Sequence, residues 1–390
     1  MTSSSLRFVL ALSALSCFAC QPRTPTARPP TEHEATPEQP VQASVPAELR
    51  IVAEPVEPAV NGATPAASRF LLLGRDTSGS GYRVLSASLP HAATSFVPRA
   101  AHMAWLAGQL FLARPPRTAA ATDAAPSDDA MSFSLHISPR PSEPKDAPSG
   151  EAVARSVAVP LPQPCTQAAP ALLQSEGDHL HALLRCPKEG YALLLTLNAQ
   201  AQLQSSRRVP AAADASLYLH QPDGDYLAVA RQVLRVPKGP QDTLPIIGTV
   251  PPPGGESETR DLIRSGELLL IVDAAAGRVI VMDAQRMGWR TEKRFYTQGT
   301  VTRARSVLLP PDRLLLVTAE DTRQGSELFA TRIVLSDTSA QPPQRLLLGL
   351  LLRADHELLP VADSDGGGAL LLYSRKEGSS AALVMRRLMP

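Results

Sequence analysis

The chain predicts an all-β fold: a β-propeller of about seven four-stranded antiparallel blades, set behind a signal peptide and a disordered proline-rich stalk. Three observations carry this. Short apolar runs alternate with Gly, Asp and Pro, and helical periodicity is almost absent. A turn followed by a leucine-rich strand recurs, mostly at intervals of about 40 to 55 residues, the period of propeller blades. Finally, the N-terminal residues differ in kind from everything after them.

Arg7 gives the start of the chain a positive charge, and Phe8–Leu15 form an apolar run. Small residues and two cysteines follow as Ser16-Cys17-Phe18-Ala19-Cys20. Charged start, apolar middle and small residues at a cut are the order of a secretory signal. The run is too short to stay in a bilayer as a spanning helix.

This order resembles the lipobox of bacterial lipoproteins, in which a diacylated cysteine becomes the first mature residue. The resemblance implies lipidation at Cys20, after Cys17-Phe18-Ala19, or alternatively at Cys17, after Ala14-Leu15-Ser16. Polar Gln21 and Pro22 directly after Cys20 favour the former register. Ordinary signal-peptidase cleavage after Ala19 or Ser16 also fits the small-x-small pattern. The expectation is an exported lipoprotein, anchored to a membrane through lipid and facing the periplasm or cell surface.

Pro22, Pro25, Pro29, Pro30, Pro37, Pro40 and Pro46 punctuate residues 21–47, which hold no aromatic residue. Such a stretch cannot bury enough apolar surface to offset the entropy of ordering it. The division is therefore 1–19 signal peptide, 20–47 disordered linker and 48–390 propeller domain.

A formal net charge of +1 argues against a nucleic-acid surface, which needs clustered excess Lys and Arg. The longest later apolar run, Leu346–Leu352, is too short for a membrane span. With Cys17 and Cys20 in the signal, Cys165 and Cys186 remain. An even pair in an oxidising compartment reads as a disulfide, with two separate buried thiols as the alternative. Two cysteines without a Cys/His quartet make a poor zinc site.

The recurring unit starts at Phe70-Leu71-Leu72-Leu73 and returns at Gly108–Leu112, Gly177–Leu184 and Asp223–Val229. It continues at Gly266–Leu270, Asp312–Leu316 and Gly367–Leu372. The longer second interval holds Pro115–Ala130 and Pro141–Gly150, which read as insertions rather than a missed blade. The clearest blade places strands at Ala171–Ser175, His179–Cys186, Tyr191–Leu197 and Leu203–Val209. Another places them at Gly266–Val272, Arg278–Asp283 and Trp289–Tyr296. The last copy gives Glu357–Ala362, Ala369–Ser374 and Ala381–Leu388, with Leu49–Val56 expected beside Ala381–Leu388 to close the ring.

Pro222-Asp223-Gly224-Asp225 and Pro310-Pro311-Asp312-Arg313-Leu314-Leu315-Leu316 resemble the Pro-Asp-Gly-repeat propellers of the periplasm, such as that of the Tol–Pal system. The resemblance implies fold and no function. Trp-Asp repeat ends are absent, since neither Trp105 nor Trp289 precedes Asp. A pair of β-sandwiches is the competing fold.

Few residues invite chemistry. His179 and His181 lie two apart on a strand and so share a face, with Asp178 the near third ligand for a metal. Equally, they can form a polar strand side opposite buried Leu180, Ala182 and Leu184. Asp363-Ser364-Asp365-Gly366-Gly367-Gly368 opens like a calcium loop, but the closing carboxylate is missing, and Asp and Gly also suit a plain turn. Ser127-Asp128-Asp129 reads as a solvated loop, and Arg207-Arg208 and Arg386-Arg387 as surface pairs.

No Gly-x-Ser-x-Gly elbow, His-Glu-x-x-His helix or P-loop occurs. The sequence therefore names no catalytic residue, cofactor or firm metal site. The function it favours is a binding or scaffolding module on a stalk, with a protein partner. The alternative is a propeller enzyme, a hydrolase or quinone-dependent dehydrogenase, with its site in the central channel.

Overall fold

The computed structural model describes residues 39–41, 48–55, 68–75, 82–86, 103–113, 131–139, 155–166, 171–239, 244–250, 259–309, 312–336, 343–350, 358–362, 369–377 and 380–388. Cys17 and Cys20, the rest of the signal, and Asp363 and Asp365 lie outside them, as do Ser127-Asp128-Asp129.

Strand β1 (Gln39–Val41) comes first in the chain. A three-stranded sheet follows, β2 (Glu48–Pro55), β3 (Ser68–Arg75) and β4 (Tyr82–Ser86). The second sheet holds β5 (Met103–Leu106), β6 (Gln109–Ala113), β7 (Ser132–Pro139) and β8 (Arg155–Pro160). The third holds β9 (Leu172–Glu176), β10 (His179–Cys186), β11 (Tyr191–Asn198) and β12 (Leu203–Pro210). In the fourth are β13 (Ala215–Gln221), β14 (Gly224–Val229), β15 (Gln232–Pro237) and β16 (Ile246–Thr249).

The fifth sheet comprises β17 (Thr259–Ser265), β18 (Leu268–Asp273), β19 (Arg278–Asp283) and β20 (Trp289–Arg294). The sixth comprises β21 (Thr300–Leu309), β22 (Arg313–Thr322), β23 (Gly325–Val334) and β24 (Gln344–Leu350). In the last, β25 (Leu358–Ala362), β26 (Ala369–Glu377) and β27 (Ser380–Leu388) are joined by β1.

Apart from the returning β1, every sheet is an antiparallel meander of consecutive strands. From the second sheet to the last, the first strand of each lies against the first strand of the next. This radial repetition is a β-propeller, as the recurring turn-plus-leucine unit predicts. Five of its sheets, the second to the sixth, keep all four strands in consecutive order.

Two-residue turns join many first and second strands. In the third sheet Gly177 and Asp178 connect Glu176 to its partner His179, and Gly177 has φ of 58°, a conformation cheap only without a Cβ. The strands expected for this sheet match those found to within a residue at either end. The fifth sheet has an additional first strand, β17, ahead of the three read from sequence.

Ring closure differs from expectation. Leu49–Val56 does not pair with Ala381–Leu388. Instead β2 pairs with β3 along its whole length, Glu48 opposite Arg75 through Pro55 opposite Ser68. The strand beside β27 is β1, with Gln39 opposite Leu383 and Val41 opposite Ala381. The reason is local. Two eight-residue strands close in sequence close a hairpin at small entropic cost. That satisfies β2 at once, and the last sheet takes its outer strand from within the proline-rich stretch.

The third to sixth sheets bury both faces against their neighbours. Leu180, Ala182, Leu184 and Leu195 of the third sheet meet Phe111, Phe133 and Ile137 of the second. Leu172, Leu183 and Leu194, on its other face, meet Tyr218, Leu227 and Val236 of the fourth. Comparable clusters fill the seams between the fourth and fifth, fifth and sixth, and sixth and last sheets. Phe111, Phe133, Leu180 and Leu184 are fully or almost fully buried; each contributes on the order of 2 kcal/mol of apolar burial.

Cys165 and Cys186 are disulfide-bonded, with Cα atoms 4.8 Å apart. The bond ties the segment after β8 to the end of β10 inside the core between the second and third sheets. Glu189 accepts a hydrogen bond from the Thr166 backbone N–H, and Tyr191 donates its hydroxyl proton to the Pro164 carbonyl. These contacts hold the crossing segment in place.

Candidate functional site

One group of titratable side chains converges across a seam, between the third and fourth sheets. Glu176 ends β9, His181 is the third residue of β10, and His220 lies near the end of β13. Each offers a ligand atom, and these atoms lie within 4.8 Å of one another. The same hairpin end of two adjacent sheets supplies all three.

Local pairing explains the placement. His181 stands opposite Gln174 on one side and Thr196 on the other, and Thr196 Oγ1 lies 3.4 Å from His181 Nδ1. His220 stands opposite Asp225 across the β13–β14 hairpin, so their side chains share a face. His220 Nδ1 is 2.6 Å from Asp225 Oδ1. The same oxygen accepts a hydrogen bond from the Tyr218 hydroxyl at 2.9 Å. With Asp225 as a carboxylate, its oxygen is an acceptor suited to a proton on His220 Nδ1.

His220 is 4% exposed, and its Nε2 has no hydrogen-bond partner. Glu176 Oε2 comes within 2.9 Å of that nitrogen but out of line for a hydrogen bond. The His181 and His220 rings stack, with centroids 3.4 Å apart and planes 13° apart. Burial, then the His220 ring, pulls the His181 pKa down to about 4, against an opposing pull from Asp225. Neutral imidazole is the ligand form of histidine. Burial, followed by the Asp225 charge, raises the Tyr218 hydroxyl well above the usual phenol value.

His179, expected beside His181, does not join the group. It is half exposed and pairs with Asp178, Nδ1 to Oδ1 at 2.5 Å, with its ring centroid 6.3 Å from that of His181. The third partner is thus Glu176 rather than Asp178. Sequence reasoning missed Glu176, His220 and Asp225. A comparison of repeats holds the one signal for them: Glu176 and His220 occupy corresponding ends of the first strands in consecutive units.

The next seam holds a different polar group. Arg264 donates to the Tyr226 hydroxyl at 2.9 Å and to Asp223 Oδ2 at 3.3 Å, and Gln285 Nε2 donates to the same oxygen at 2.6 Å. Arg235 also donates to the Asp223 carbonyl, and these mutual contacts mark a structural tie. The basic pair Arg207-Arg208 is likewise engaged: Arg207 Nη1 donates to the Pro237 carbonyl at 2.5 Å, and Arg208 lies 4.2 Å over the Tyr191 ring.

No protein-family model matches the chain, and no curated protein matches it. Among solved structures, the hydrazine synthase of Kuenenia stuttgartiensis matches at 12% identity and a TM-score of 0.40, over 72% of this chain and 78% of that one. The Cps50 (Swd1) β-propeller domain of Myceliophteria thermophila matches at 11% identity and a TM-score of 0.36, over 74% of this chain and 89% of that one. Similarity this low transfers no function. The propeller stands on the order and packing of its own strands.

Proposed function

We propose that the chain is an exported, lipid-anchored propeller of seven blades that works as a binding module for a protein partner. Seven sheets in sequence support the blade number, and packing of β2 against β26 supports closure of the ring. Export is supported by the signal-like start and by the Cys165–Cys186 disulfide, a bond favoured in oxidising compartments. Lipidation at Cys20, or at Cys17, follows from the lipobox-like order of residues.

One observation carries the binding reading. Large apolar side chains stand exposed on or just after the outer strands of the fifth and sixth sheets: Trp289 at 54%, Tyr296 at 85%, Leu346 at 53% and Leu347 at 52%. Arg345, next to Leu346, donates a hydrogen bond to the Tyr296 carbonyl, which brings the two ends together. Aromatic residues with an arginine beside them are the composition of interface centres.

The test is photo-crosslinking in cells. A photoreactive residue at Tyr296 should give a discrete protein adduct, and one at exposed Gln204 on β12 should not. No adduct at Tyr296, Trp289 or Leu346 would end the binding reading. In parallel, replacing Cys17 and Cys20 by Ser should move the protein from the membrane to the soluble fraction. The rival enzyme reading rests on Glu176, His181 and His220 meeting at the hairpin ends of two adjacent sheets. It requires substrate turnover that is lost in Glu176→Ala.

A further inference from the structure

We infer that Glu176, His181 and His220 bind one divalent transition-metal ion, zinc by the chemistry of its donors. The inference is independent of export and of the apolar rim.

The starting point is a buried conflict at His220. Asp225 is placed to hold a proton on Nδ1, and in the neutral form of the ring Nε2 then carries a lone pair. That lone pair meets the Glu176 carboxylate at 2.9 Å, with no hydrogen bond between them. In the neutral form two acceptors face each other at this distance and repel. A cation between them removes the repulsion and satisfies an otherwise unpartnered nitrogen.

Two imidazoles and a carboxylate are a standard zinc donor set that leaves a fourth position free. Ligand atoms around zinc sit about 2.0–2.2 Å from it, hence about 3.3–3.6 Å from one another in a tetrahedral site. Closing the spread of up to 4.8 Å to that requires the side chains to rotate. Stacked rings aim their nitrogens nearly parallel, so binding tilts the His181 and His220 rings apart. Behind His220, Asp225 already holds the second nitrogen, and Tyr218 holds Asp225. A carboxylate behind a ligating histidine fixes the ring and raises its basicity. The Glu176 side chain is 40% exposed, which gives the ion a route in and leaves the fourth position to water.

A proton on His220 Nε2 is the competing resolution, and the experiment separates the two. The full chain, thiols alkylated and metal removed with chelator, is titrated calorimetrically with zinc chloride. One zinc should bind per chain. Glu176→Ala and His181→Ala should each weaken binding at least tenfold, and Asp225→Asn by about 10- to 100-fold. His136→Ala, in the second sheet, should leave it unchanged. Glu176 ends an exposed hairpin, so its variant folds even where a His220 variant does not. Nitrogen NMR of the imidazoles should show zinc shifting His220 Nε2 while Nδ1 keeps its proton. Absence of saturable zinc binding would overturn the inference. So would affinity that survives both Glu176→Ala and His181→Ala.

Discussion

The Gln174 side chain binds the backbone of His220 twice: its Nε2 donates to the His220 carbonyl at 3.0 Å, and its Oε1 accepts from the His220 N–H at 2.9 Å. A side chain of the third sheet thus does for the fourth what a strand partner would do. Gln174→Ala strips both groups of partners inside a seam where Gln174 is 3% exposed. The expected loss is about 2–3 kcal/mol in urea unfolding, and an unchanged midpoint would refute it.

A carboxylate ties the fifth sheet to the sixth. Asp261 Oδ2 accepts from the Ser306 N–H at 2.8 Å and from its hydroxyl at 2.6 Å. Asp261 Oδ1 accepts from the Leu262 N–H at 3.1 Å. Asp261→Ala should cost about 3 kcal/mol, and Ser306→Ala clearly less because the N–H remains bonded. Equal losses in chemical denaturation would contradict this division.

Gly224 carries a backbone constraint. Its φ is 152°, and a Cβ there would meet the Val236 carbonyl oxygen at 2.7 Å. Gly224→Ala should destabilise by about 1–3 kcal/mol. Gly108, with φ of 72° but open space around it, should tolerate Ala at about 1 kcal/mol. The comparison isolates the steric part, and identical melting temperatures would remove it.

Closure by β1 is testable by truncation. A chain starting at residue 46 leaves β27 as a bare edge and should lose on the order of 1–2 kcal/mol. Starting at residue 60 also removes β2, the partner of β3, and should lose considerably more. Thermal melting of both against the full chain decides it. No difference between the full chain and the first truncation would deny β1 its part.

Asp283 gives a pH signature. The Arg286 backbone N–H, the Arg290 side chain and the Gln285 backbone N–H lower its pKa to about 2 from an ordinary 3.8. A carboxylate whose folded pKa is depressed stabilises the fold above its unfolded pKa, and that contribution fades as pH falls through the folded value. Stability should therefore decline between about pH 5 and pH 2 more steeply in the wild type than in Asp283→Asn. Parallel denaturation midpoints across that range would disprove the linkage.

Much of the architecture was legible because propeller strands advertise themselves through local turns. Gly177-Asp178 and Gly266-Glu267 sit between strands that pair directly across them, so strand position follows from turn position. The disulfide was legible by elimination. Ring closure was not, because Gln39–Val41 is three residues inside a proline-rich stretch with no strand pattern of its own, whereas Leu49–Val56 carries one. The titratable cluster was hidden for another reason. His179 and His181 lie on the strand face opposite Leu180 and Ala182, which in an open sheet would face water. In a radial stack that face looks onto the next sheet, and what meets His181 there lies 39 positions along the chain.

The polar ties at the seams differ from one another: an amide on a peptide unit at one, an arginine on a tyrosine and an aspartate at the next, an aspartate on a serine at the one after. Interchangeable apolar faces would let sheets associate in any cyclic order, or with sheets of another copy. Mismatched ties forbid that, since any wrong neighbour strands a polar group in the dark between two sheets. At these three seams the differences act as an assembly code, and transposing the fourth and fifth blades should yield a chain that collapses but does not close.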